Sequence, residues 1–178
     1  LARYRALRTV YEAEGYDEPP APFLVRLGDA LAGAGRADEA VEVLGAARGH
    51  DPDRREVYER AQDLLLQSGD TDGIVAFMRA GLELARRSET RVFLARRAGR
   101  LLWRELRRPE DAAAVLAAAD ADDDDLIGIR LEVATALNDW PTVASLLRAR
   151  LSRAVGAERP EILTRLARLA FGALERPD

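Results

Sequence analysis

Cysteine is absent from this chain of 178 residues, lysine is absent too, and histidine occurs once, as His50. Without cysteine there can be no disulfide, thiol nucleophile or thiolate metal ligand. A single histidine rules out a multi-histidine metal site and leaves His50 the reading of a solvated turn residue. Aromatic residues make up 6%, and the scarcity of isoleucine, tyrosine and phenylalanine leaves little material for strands. Gly-rich phosphate loops, Gly-x-Ser-x-Gly elbows and kinase signatures are missing. No apolar run approaches the ~20 residues of a membrane span, and no signal peptide is visible. The expectation is a protein that is not an enzyme, with no catalytic, cofactor-binding or metal residues, no cofactor and no membrane partner. A cytoplasmic location is the default.

What is present points to helices. Alanine, leucine and arginine dominate a composition that is 48% hydrophobic and 33% charged, with a net charge of -4. Such a surface mixes both signs, unlike the single-sign surface of a general nucleic-acid binder, so nucleic acid is not an expected partner. All 27 basic residues are arginine.

The stretch Phe23 to Asp53 reads as one helix-turn-helix unit with the skeleton Leu24, Leu27, Gly28, Leu31, Gly35, Ala40, Leu44, Ala47 and Pro52. Small residues at Gly28 and Ala40 let two helices approach, Gly35 falls at the turn, and Pro52 ends the unit. Before it, Leu1 to Glu14 carries an apolar face and Asp17 to Pro22 is rich in breakers. A second unit runs from Arg54 to about Arg87, with Tyr58, Ala61, Leu65, Gly69, Ile74, Met78 and Gly81 in corresponding places. Gly35 and Gly69 are 34 residues apart. In a third unit, Arg108-Pro109-Glu110-Asp111-Ala112 matches Arg36-Ala37-Asp38-Glu39-Ala40 at a separation of 72 rather than 68. About one extra helical turn is therefore expected in its first helix. A further pair surrounds the turn Asn138-Asp139-Trp140-Pro141, and Arg159 to Leu174 is the last helix. That helix echoes the third unit at a shift of 68: Arg97, Arg100, Leu101, Trp103 and Leu106 recur as Arg165, Arg168, Leu169, Phe171 and Leu174.

These residues resemble the tetratricopeptide repeat, whose large and small positions recur over ~34 residues, as in the tandem arrays of large bacterial scaffold proteins. The resemblance implies an all-α fold: an α-α superhelix, a solenoid of about ten antiparallel paired helices over residues 1–178 as one segment. Because the chain opens at Leu1 and its repeat phase stops after Pro177, a piece of a longer protein is expected. The resemblance also implies a scaffold or adaptor that binds another protein or peptide through a groove lined by first helices. The alternatives are a regulatory or sensor module of a larger enzyme or transcription factor, and a helical-repeat nucleic-acid binder, toward which the arginine stripes lean.

Multiples of 34 from Asp29 reach Asp63, Arg97, Leu131 and Arg165, and three residues on are Arg100 and Arg168. With Glu56 and Glu59, the expected partner-binding set is Asp29, Glu56, Glu59, Asp63, Arg97, Arg100, Arg165 and Arg168. It is acidic in its N-terminal half and basic in its C-terminal half. The competing reading is a solvated face carrying ordinary ion pairs.

The aspartates between Asp120 and Asp125 read either as oxygen ligands for a divalent cation or as caps of the following helix. The second reading is preferred, because no calcium-loop spacing accompanies them. Trp140 is expected to anchor the core and Trp103 to cover a seam between repeats. The last helix is expected to leave apolar surface uncovered, with self-association through it as one consequence.

Overall fold

The structure, a computed structural model, describes Thr9, Ala13 and residues 20–119 and 123–174, with side chains up to Gly172. Most of the helix expected over Leu1 to Glu14, Asp120 and Asp122 of the aspartate run, and the side chain of Leu174 lie outside that description. From residue 20 onward the described residues form nine α-helices and no strand, which is the expected all-α class. They are α1 (Ala21–Gly33), α2 (Ala37–His50), α3 (Arg55–Ser68), α4 (Thr71–Leu84), α5 (Ser88–Arg100), α6 (Pro109–Ala117), α7 (Asp124–Ala136), α8 (Trp140–Arg153) and α9 (Glu158–Leu174). A π-helical turn, Leu101–Glu105, extends α5. Packing divides the chain into two compact units, Leu1–Leu94 and Ala95–Asp178.

The same device turns the chain after each of four first helices. Gly35 and Gly69 (φ 74° each), Arg107 (φ 55°) and Asn138 (φ 56°) all adopt left-handed backbone. Glycine has no Cβ to clash there, so two of the four turns were visible as glycines and two were not. The matched Arg-x-x-acid segments also behave alike. Arg36 pairs with Glu39, and Arg108 Nε lies 2.8 Å from Asp111 Oδ2, each pair bridging the first turn of a second helix.

In the first unit each helix packs on the next, and neighbouring pairs stack through α1 with α3 and α2 with α4. Leu24, Leu27 and Leu31 of α1 are buried, as are Ala40, Leu44 and Ala47 of α2, both sets at helical spacing. A Cβ on Gly28 would stand 3.1 Å from Leu44 Cγ, so the helices touch where the small residue was expected. Leu44 is 1% exposed, and burial of that kind stabilises by about 1.5–3 kcal/mol. Tyr58 fixes the next pair. Fully buried, it donates its hydroxyl to Pro52 O (2.7 Å) and meets the Phe77 ring edge-on, with centroids 5.9 Å apart. Gly81 lies against it, since a Cβ there would be 2.3 Å from Tyr58 Cε1.

In the second unit Gly99 of α5 faces Leu116 of α6, α6 packs on α7, α7 on α8, and α8 on α9. Ile127, Leu131, Val143, Leu147 and Ile162 belong to its core. The extra length expected in the third unit is present: α5 and its π-turn run without a break from Ser88 to Glu105. Within the turn Leu106 N–H bonds Leu101 O (3.0 Å), five residues back. Trp140, expected in the core, is 42% exposed. It is the first residue of α8, and because helical side chains lean toward the N-terminus it projects past the helix end. His50 is exposed at the end of α2.

Candidate functional site

The exposed rows on the first helices are the candidate site. In the first unit, α1 turns Leu27, Gly28 and Leu31 inward and leaves Asp29 exposed, while α3 buries Val57, Tyr58 and Ala61 and exposes Glu56, Glu59, Arg60 and Asp63. Arg60 Nε lies 3.3 Å from Asp29 Oδ1, and its Nη2 lies 3.9 Å from Glu56 Oε1. Three residues separate Arg60 from Asp63, which places them on one face of α3. Asp29, Glu56 and Asp63 therefore share a face, as the 34-residue period required. Arg60, absent from the expected set, sits among them and offsets part of their charge.

The basic half departs from expectation at Arg97, which is half-buried rather than exposed. The reason is register. Gly28 touches Leu44 and Gly99 touches Leu116, so the residue occupying the place of Asp29 is Arg100, not Arg97. Counting in steps of 34 misses this because Gly99 lies 11 residues into α5 while Gly28 lies 7 into α1, about one turn less. The row that reaches α7 is Arg96, Arg100 and Arg104, at helical spacing. Arg96 lies 3.0 Å from Asp125 Oδ2 and 3.8 Å from Asp123 Oδ1, and Arg100 lies 3.5 Å from Asp125 Oδ2. Arg104 lies 3.1 Å from Glu132 Oε1, and the half-buried Trp103 donates from Nε1 to Glu132 Oε2 (2.9 Å). Trp103 thus covers a seam between neighbouring first helices. On α9, Arg165 and Arg168 are both exposed, and Arg165 Nη2 donates to Thr135 Oγ1 (3.3 Å).

The aspartates of the described part of the run have structural work. Asp123 accepts from Leu126 N–H (2.8 Å), capping α7 and holding the start of that helix. Asp139 caps α8 in the same way. Hydrogen bonds from the Thr142 hydroxyl and N–H hold its carboxyl below the usual range, against a smaller opposing effect of desolvation. In the first unit Asp53 accepts from the N–H groups of Arg86 (3.2 Å) and Arg87 (3.0 Å) at the head of α5. Desolvation opposes its ionisation. The Arg87 N–H, the Thr90 hydroxyl and the Arg86 N–H outweigh that and hold its carboxyl below the ordinary value.

One cavity of about 330 Å³ lies among α6, α7 and α8, with Leu116, Val133, Leu137 and Leu146 in its lining. Of its polar neighbours, Arg130 donates to the Leu116 and Ala119 carbonyls, and Asp139 serves as a cap. Both are engaged in holding helix ends, so the cavity offers mainly apolar surface. Among the described residues no group of three or more histidine, cysteine, aspartate or glutamate side chains is arranged to hold a metal ion, and no helix is long and apolar enough to cross a membrane. No protein-family model matches the chain, and no curated protein matches it.

Proposed function

We propose that the chain is a tetratricopeptide-like interaction module that recruits or scaffolds another protein through the charged faces of its first helices. The observation that carries this reading is the division of labour within each helix. Leucine, alanine and glycine face the partner helix, and outward stand acidic rows in the first unit (Asp29, Glu56, Glu59, Asp63) and exposed arginines in the second (Arg100, Arg165, Arg168). Charged rows on a rigid support orient a partner and speed its encounter more than they raise affinity.

Photo-crosslinking tests this directly. A photoreactive residue at position 59, 63 or 168 should capture one protein, and charge reversal at a neighbouring site should abolish the capture. The same residue at exposed Glu42 or Arg148 on second helices should capture nothing. Equal capture at all five positions would sink the reading. A nucleic-acid binder is the second reading, motivated by Arg96, Arg100 and Arg104 in a row. Filter binding at two salt concentrations separates it from the first, because phosphate contacts weaken steeply as salt rises.

A further inference from the structure

The last described helix carries a face for which the chain itself holds the matching piece. At the shift of 68 residues, Leu94, Ala98 and Leu101 of the third unit correspond to Ile162, Leu166 and Leu169 of α9. Both sets turn inward: the first three are buried, Ile162 is buried, and Leu166 and Leu169 are partly covered. The neighbouring face behaves differently. Ala95, Gly99 and Leu102 are buried, and α6 covers that face at its centre, where a Cβ on Gly99 would stand 2.5 Å from Leu116 Cδ2. Their counterparts Leu163, Ala167 and Ala170 are all exposed, Leu163 at 48%, and Phe171 beside them is 68% exposed.

We infer that the Leu163–Ala167–Ala170 face of α9 is a docking face for an amphipathic α-helix of the α6 kind. Such a helix opens on acidic residues, as α6 does with Glu110 and Asp111, and presents alanine and a β-branched or leucine side chain, as α6 does with Ala112, Val115 and Leu116. Two properties of α9 fit that occupant. Ala167, like Gly99, is small enough to let a leucine approach. Leu116, near the end of α6, meets Gly99, so such a helix runs antiparallel, and exposed Arg159, one turn before Leu163 on the same face, suits its C-terminus. The face is built from Leu163, Ala167 and Ala170, none of which belongs to the charged rows, and it stands independently of the function proposed above.

A fluorescein-labelled peptide with the sequence of residues 107–119, added to the 178-residue chain, is the probe. Saturable binding is expected, together with slowed amide exchange in α9 of the unmodified protein. Leu163→Asp or Ala167→Glu should weaken binding roughly tenfold or more. Both residues are exposed, so helicity by circular dichroism should stay unchanged. Asp63→Arg should leave peptide binding unaffected, which keeps this test apart from the crosslinking experiment. Three results would overturn the inference: no binding, binding equal in the α9 variants, or self-association of the chain that Ala167→Glu abolishes, since a second copy would then be the occupant.

Discussion

Tyr58 shows how much one side chain can determine here. Its ring fills the space beside Gly81, and its hydroxyl closes on Pro52 O. Burial pushes the hydroxyl up to about 12, with Arg48 working against that and Asp53 and Asp51 adding to it. The unfolded chain releases this proton near the ordinary value of 10.0 while the fold retains it. Its contribution to stability is therefore complete below that value and is lost as the pH rises through about 12. Urea denaturation midpoints should fall across that window, and Tyr58→Phe should flatten the fall while costing about 1–3 kcal/mol at neutral pH through the unpaired Pro52 carbonyl. Gly81→Ala forces a Cβ into the Tyr58 ring and should cost about 1–3 kcal/mol by overpacking. At Arg107 the sign reverses. An arginine at φ 55° carries a steric cost that glycine lacks, so Arg107→Gly should raise stability by about 0.5–1 kcal/mol in the same assay. If that variant lost stability, the turn would be held by the arginine side chain and not by its backbone.

Elements were legible where a residue type has only one structural use. Gly35 and Gly69 declared their turns, and Ala40, Ala61 and Ala112, alanines of the repeat skeleton, are each 0% exposed. The 72-residue spacing announced a longer first helix but not its π-turn, because an inserted residue leaves no mark in composition or periodicity. The candidate site was legible to the same limit. Asp29 and Asp63 share a face because the repeat between them is regular, whereas a step of 34 to Arg97 crosses an irregular one and misses Arg96 and Arg104. In the sequence Asp53 closes a unit; that its carboxylate reaches the head of α5, a repeat further on, is tertiary and has no local signal. Because that carboxyl is held below its ordinary value, its contribution is present above the unfolded value of 3.8 and disappears as pH falls through the folded one. Asp53→Asn should lower stability by about 1 kcal/mol at neutral pH and shrink the loss on acidification, read as urea midpoints from neutral to acid. An unchanged acid profile would show that another carboxylate governs it.

At the scale of the whole molecule, the question is whether its charges hold the fold or face outward for something else. The net charge is only -4, and arginines pair with carboxylates along the first helices, as Arg60 does with Asp29 and Arg100 with Asp125. These pairs are about half exposed, with side-chain exposures of 48% and 45% in the first and 48% and 63% in the second. Exposed pairs of that kind contribute about 0–1 kcal/mol each and are screened by salt. The buried leucine, alanine and glycine contacts are not. Raising the salt from about 0.05 to 0.5 M should therefore move the melting temperature by no more than a few degrees. Binding of a protein captured through Glu59, Asp63 or Arg168 should weaken markedly over the same range, mainly through a slower association rate. The two measurements are informative together. A fold that melts much earlier in high salt, with binding unaffected, would mean that the charged rows are structural ties between neighbouring helices, and the partner would then have to be sought on an apolar surface such as the outer face of α9.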